Sequence, residues 1–249
     1  MTIWITTNGR PSNGAAELAK QDGFGLSIKG GKIKAGETLI NWGSSNPLPK
    51  TKAGVVLNKP EAVKISANKL LSFRQFTDDQ ISVPEWTTDK EVALQWSAAG
   101  LVVFARTKLT GSSGDGIIII DRYSNEIPEA PLYTRYIFKE REYRFHVVGD
   151  RVHRVQKKIR NPEVEVENWK VRSHENGFIF ATNNVRVGGD SIQLAVRAVK
   201  SVGLDFGAVD MIEDKNGVFY VLEVNTAPGL EGATVMSYAN AFRGMVNGG

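Results

Sequence analysis

Apolar positions along the chain recur in short periodic runs, and the period of each run predicts an element. Ile3–Thr6 reads as a strand, Asn13–Lys20 as a helix and Thr38–Trp42 as a second strand, followed by loop over the Gly/Pro/Lys-rich stretch Gly43–Gly54. Leu70, Leu71 and Phe73 group on one side of a helix over Ser66–Phe76, which Ser66 can cap. Pro84 opens a new segment, and Thr88 with Asp89 begins a short helix ending near Ala99. The apolar runs Leu101–Ala105 and Ile117–Ile120 predict two strands about a glycine-rich loop. Glu142–Val148 and Arg151–Ile159 predict a hairpin about Gly149 and Asp150, and Phe178–Ala181 a short strand. A helix over Ser191–Val202 precedes a last hairpin, Ala208–Glu213 and Val218–Asn225, turning on Asp214–Gly217.

Composition narrows the class. The chain has 249 residues, 41% hydrophobic and 23% charged, as expected of a soluble globular protein with one or two cores. It shows no internal repeat, no run of about 18 apolar residues, and no basic, apolar leader at its start, so a cytoplasmic protein without a membrane partner is expected. With no cysteine, disulfides and thiolate chemistry are excluded, and any reaction runs on carboxylates, cations and backbone amides. The net charge of +4 favours anionic ligands but does not choose between a nucleoside triphosphate and nucleic acid.

Candidate chemistry lies in the loops and hairpins. The run Gly111, Ser112, Ser113, Gly114, Asp115, Gly116 leads into a β-branched strand, whereas a dinucleotide fingerprint or a P-loop needs a helix there. A glycine loop between strands suits a flap whose amides close over phosphates, with Arg106 and Lys108 at its base; a hairpin tip without a ligand is the plainer alternative. With Val148 opposite Arg151, Glu142, Arg144, His146, His153 and Lys157 share one face of their hairpin and Tyr143, Phe145 and Val147 the other. That polar face serves either as a solvated surface or as a row of nucleotide contacts. In the last hairpin, Glu213 opposite Val218 sets Asp210 diagonally across from Glu223, with Asn225 two residues along and Ile212, Phe219 and Val221 as apolar companions. Diagonal Cα atoms about 7–8 Å apart let two carboxylates hold a magnesium ion. Pairing of these acids with nearby Lys or Arg is the other reading. Arg186, just before a helix, allows its guanidinium and the helix-terminal amides to face one anion, or allows a pair with Asp190.

The stretch Gly203–Asp210 followed by Glu223–Gly232, with its Glu-x-Asn and Pro-Gly, resembles the closing signature of the ATP-grasp superfamily, and is similar to the ribosomal-protein glutamate ligases. Asn68–Leu70, the glycine flap, Glu142–Arg144, Val147–Gly149, Gln156–Lys158 and Asn184–Gly189 agree in order, so the resemblance covers roughly residues 60–245. The amino-terminal unit and the Arg144–Val147 wording also resemble carboxylate-amine ligase-like ATP-grasp proteins of phages, which would place the chain in a host cytoplasm.

The resemblance implies an α+β / α/β ATP-grasp fold: an amino-terminal α/β unit (1–62), a central lobe with the flap (63–134) and a carboxy-terminal lobe (135–249), with ATP between the two α+β lobes. It implies that Arg106, Lys108, Ser112, Ser113, Gly114 and Gly116 meet the phosphates, that Arg135, Tyr136, Ile137 and Phe138 form the adenine hinge, and that Glu142 meets ribose. Asp210, Glu223 and Asn225 would hold one or two magnesium ions, with manganese as substitute. Lys157 or Lys158 and Arg186, with Arg144, would meet the transferring phosphate or an acceptor carboxylate. Arg106 departs from the usual lysine, and the segment from the hinge to Glu142 is short. The implied reaction activates a small-molecule or peptide carboxylate as an acylphosphate, then joins it to an amine or thiol. Rival readings are a kinase of the same fold and a non-catalytic nucleotide- or nucleic-acid-binding protein.

Overall fold

The computed structural model describes residues 2–247 except Asn8, Gly30, Gly31, Ser112, Ser113, Arg122, Tyr123, Asn125, Glu167 and Asn184. Its first unit comprises β1 (Ile3–Thr6), α1 (Asn13–Ala19), β2 (Phe24–Leu26), β3 (Thr38–Asn41) and β4 (Val55–Leu57), a parallel sheet in the order β2-β1-β3-β4. Ser12 caps α1 by accepting from the Ala15 amide. Strands β2 and β4 add to the two expected strands; three residues each is too short for a period to register.

Two helices follow, α2 (Pro60–Ala67) and α3 (Lys69–Asp78), where the apolar pattern predicts one capped by Ser66. The break is at Asn68, whose side chain accepts from the Leu70 and Leu71 amides, while Ser66 is buried and donates its hydroxyl to the Val224 carbonyl. Then come β5 (Trp86–Thr87), α4 (Lys90–Ala98), β6 (Val103–Arg106), β7 (Ile117–Ile120) and β8 (Leu132–Arg135), an antiparallel sheet ordered β5-β8-β6-β7. The third part has β9 (Lys139–Val148), β10 (Arg151–Arg160), β11 (Phe178–Ala181), α5 (Gly189–Ser201), β12 (Phe206–Asp214), β13 (Phe219–Asn225) and α6 (Ala233–Asn247). Its antiparallel sheet runs β11-β10-β9-β12-β13. Among the described residues no helix is long and apolar enough to cross a membrane.

The first unit and α6 share one core: Ile3, Ile5, Leu18 and Trp42 pack with Phe206, Tyr238 and Phe242, and Trp42 stacks on Phe206 at 5.3 Å. Asn58 pins the junction. Its backbone takes φ +59°, its amide N–H donates to the Asp205 carboxylate at 2.6 Å, and its side chain exchanges hydrogen bonds with the backbone of Asp205 and Phe206. Helix α5 covers one face of the five-stranded sheet through Ala195, Ala198 and Val199 against Phe145 and Val147.

Two β-bulges correct the predicted faces. In the β9/β10 hairpin the ladder slips at His153, so that Gln156 pairs with Arg144 and Lys157 with Tyr143. Lys157 therefore leaves the Glu142 face and Lys158 takes its place, because one extra residue inverts every later side chain. In the β12/β13 hairpin Leu222 is the extra residue, and Asp210 stands directly opposite Glu223 instead of diagonally. Phe219 and Val221 consequently turn into the core beneath α5, away from the two carboxylates.

Candidate active site

A cavity of about 730 Å³ lies between the flap sheet and the uncovered face of the five-stranded sheet. One wall is Phe104, Arg106 and Ile117 with Gly111 and Gly114 of the flap; the connection Thr134–Ile137 closes one end. The floor carries Lys139, Glu142 and Arg144 of β9, Gln156 and Lys158 of β10, Asp210 and Ile212 of β12, and Glu223 and Asn225 of β13. Residues 170–174 form a strap along the other side.

At the acidic end, Asn225 donates from its side-chain amide to both Asp210 and Glu223, at 3.3 Å each. Asp210 is held in a two-point ion pair by Arg144, with Nε at 2.7 Å and Nη2 at 2.8 Å, and the guanidinium rests 4.2 Å from the centre of the Phe180 ring. Burial would raise the Asp210 pKa, yet the charge and hydrogen bonds of Arg144 outweigh it and hold it below the ordinary value. Lys69 reaches Glu223 at 3.6 Å. Behind this pair His146 is fully buried, with Nδ1 3.1 Å from the Tyr238 hydroxyl and Nε2 2.8 Å from the Gln156 side-chain oxygen. Burial, opposed by the Gln156 contact, brings its pKa down to about 4, so the ring is neutral at pH 7.

Farther along the floor, Glu142 is buried between Lys139, at 3.0 Å, and Lys158. The same ammonium groups donate to the carbonyls of Lys170 at 3.1 Å and Arg172 at 2.7 Å, which ties the strap to the sheet. Desolvation lowers the Lys139 pKa, against the pull of Glu142. Arg106 is almost wholly desolvated, and its Nε, like that of Arg172, has no hydrogen-bond partner among the described residues. Arg106 and Arg172 both line the cavity, where the remaining N–H donors of their guanidinium groups can meet an anionic ligand.

Of the expected nucleotide contacts, Arg106, Gly114, Arg135, Tyr136, Ile137 and Glu142 line this cavity, together with Arg144, Lys158, Asp210, Glu223 and Asn225. Lys108 instead points outward and pairs with Asp115 at 2.9 Å. Gly116 packs against Lys108, where a Cβ would come within 3.0 Å of the Lys108 backbone nitrogen, and Phe138 is 74% exposed. Lys157 and Arg186 line a separate cavity on the α5 side of the sheet, and no Arg186–Asp190 pair forms. Ser112 and Ser113 lie outside the described residues. Four cations were missed by the sequence reading: Lys69, Lys139, Lys170 and Arg172. Lys69 lies in the Asn68–Leu70 stretch that carries part of the resemblance; the strap cations sit in a loop with no periodicity to mark them.

Among the described residues no three His, Asp or Glu side chains are placed to hold a metal ion. The facing carboxylates of Asp210 and Glu223 offer the oxygen ligands that fit magnesium, which retains water or phosphate oxygens in its remaining positions, and Asn225, whose amide nitrogen here bridges the two acids, can add its oxygen by rotating its side chain.

Two sheets enclosing such a cavity define the ATP-grasp fold. The chain superposes with a TM-score of 0.67 and 13% identity on the ATP-grasp ligase PsnB, solved with a minimal precursor, Mg and ADP, over 98% of this chain and 97% of that one. Residues 109–247 match the RimK-like ATP-grasp domain, and the chain belongs to that family. A probable alpha-L-glutamate ligase of Mannheimia succiniciproducens is 29% identical over 189 residues, 70% of this chain and 60% of the relative. One of Haemophilus influenzae (strain PittEE) is 32% identical over 134 residues, 49% of this chain and 42% of the relative. The chain thus spans about half the length of these curated relatives.

Proposed function

We propose that the chain is an ATP- and magnesium-dependent ligase that activates a small-molecule or peptide carboxylate as an acylphosphate and joins it to an amine. The observation carrying this reading is the cavity itself, with the Arg106 and Arg172 side chains on its walls and the facing Asp210 and Glu223 carboxylates, bridged by Asn225, at its floor. Phe104 and Tyr136, with ring centres 5.2 Å apart, offer an apolar slot for adenine beside the Arg135–Ile137 connection. Glu142 would accept from ribose hydroxyls while Lys139 and Lys158 hold its carboxylate in place.

Arg106, Arg172 and Lys69 would bind the phosphate oxygens, and Arg144 would orient Asp210 for its role. Asp210, Glu223 and Asn225 would hold magnesium, which when bound neutralises charge on the β- and γ-phosphates. The carboxylate oxygen attacks the γ-phosphorus and ADP leaves; the amine then attacks the acyl carbon, phosphate leaves with the C–O electron pair, and the amine proton passes to water. The protein's share is positioning and charge neutralisation, with a strap and a flap that exclude water.

The test is phosphate release from ATP in pooled amino acids, polyamines and peptides, with mass spectrometry of the products. Release that needs both a carboxylate and an amine, with a condensed product, is expected. Phosphate transferred to a hydroxyl compound would make the protein a kinase, and no turnover with any pool would overturn the ligase reading.

A further inference from the structure

The sheet that floors the nucleotide cavity has a second concavity on its opposite face. Along β9, Glu142 and Arg144 point to the nucleotide side, while Arg141 and Tyr143 point to the α5 side. There a cavity of about 340 Å³ is lined by Arg141, Tyr143, Lys157, Arg186, Gly188 and Glu213.

Three cations face a single carboxylate, and that carboxylate is already engaged. Both Glu213 oxygens accept from Arg141, at 3.2 and 3.3 Å, and one also accepts the Tyr143 hydroxyl at 3.1 Å. The side chains of Lys157 and Arg186 have no hydrogen-bonding or ionic partner among the described residues. Gly188 is the cap residue of α5 and brings no side chain to the free amides of that 13-residue helix, so the positive end of the helix also borders the cavity. Asp190, the acid of the first turn, is outside the wall. Like charges gathered in a small concavity repel one another unless an anion lies between them. The volume is at the lower end for small-molecule sites and too small for a nucleotide.

We propose that this cavity is a second anion site, separate from the nucleotide cavity, which takes a compact dianion of the phosphate or dicarboxylate kind. Arg141, fixed by Glu213, is the preorganised donor; Lys157 and Arg186 close on the ligand from the strand and from the turn before α5. The site is independent of the ligase reading, since none of its side chains reaches the other face.

The experiment is calorimetric titration of the whole chain at low ionic strength, where exposed charges are least screened, with inorganic phosphate and, separately, succinate. Binding of one or both, one per chain, is expected, weakened at least tenfold by Lys157→Ala and by Arg186→Ala and less than twofold by Lys158→Ala. Lys157→Gln, which keeps the aliphatic stem, should weaken it as Lys157→Ala does and guards against misfolding. Which probe binds identifies the source of the anion. Failure of both probes to bind, no effect of the Lys157 and Arg186 variants, or an equal loss in Lys158→Ala would overturn the separate site. Titrating AMP-PNP in parallel keeps the two readings apart: its failure to bind would remove the ligase reading and leave this one standing.

Discussion

Asp210 and Glu223 face each other across one ladder pair, yet their surroundings differ enough to separate stability from function. Asp210 is buried and closes a two-point pair with Arg144, whereas the Glu223 side chain keeps 29% of its surface exposed. Asp210→Asn leaves a desolvated guanidinium without its counter-charge, and the expected loss in urea unfolding is about 3–5 kcal/mol. Glu223→Gln combined with Asn225→Ala should change unfolding by under about 1 kcal/mol while abolishing phosphate release. Wild-type turnover in that folded double variant would remove the metal assignment. The slip at His153 gives a second contrast between neighbours: Lys158→Ala should weaken AMP-PNP binding at least tenfold, and Lys157→Ala less than twofold, when both are titrated by calorimetry.

Among the elements, the flap and the strap are designed to meet. Gly114, at φ +82°, is so close to Val171 that a Cβ would lie 2.5 Å from the Val171 Cγ1, so only glycine permits this contact. Gly114→Ala should separate the two segments and lower nucleotide affinity several-fold without shifting the global unfolding midpoint. Hydrogen exchange at residues 114–116 should slow on addition of ATP and magnesium in the wild type and much less in the variant, because bound phosphates would cover the flap amides. Equal exchange with and without saturating nucleotide would argue against a lid.

At the scale of the whole molecule, the His146 ring joins the floor of the cavity to α6, and its burial makes the fold sensitive to acid. The folded pKa is about 4, against 6.5 for the free side chain, so the unfolded chain binds the proton more readily. The stabilisation is therefore complete above pH 6.5 and is lost as pH falls toward 4, amounting to about 3 kcal/mol. His153 shifts in the same direction, chiefly through desolvation, and adds a smaller share. His146→Gln, which keeps a hydrogen-bonding end, should flatten most of the slope of unfolding free energy between pH 6.5 and 4. A slope unchanged in that variant would assign the acid sensitivity elsewhere.

What the sequence determined by itself was local and periodic. The runs Ile117–Ile120 and Phe178–Ala181 appear as strands at their expected ends, and the hairpin turn at Gly149 and Asp150 holds, because each is set by side-chain period and turn chemistry within a few residues. The ATP-grasp signature likewise lies in one short stretch of chain. Tertiary structure decided the rest. Single extra residues at His153 and Leu222 leave no mark in composition, yet they chose Lys158 over Lys157 and turned Phe219 and Val221 into the core, since a ladder slip reverses faces without changing the text. The break at Asn68 depended on Ser66 being claimed by Val224, 158 residues along the chain. Lys139, Arg172 and Lys69 came to the cavity from separate segments that only folding brings together, and Arg186 went to the opposite face because α5 packs there.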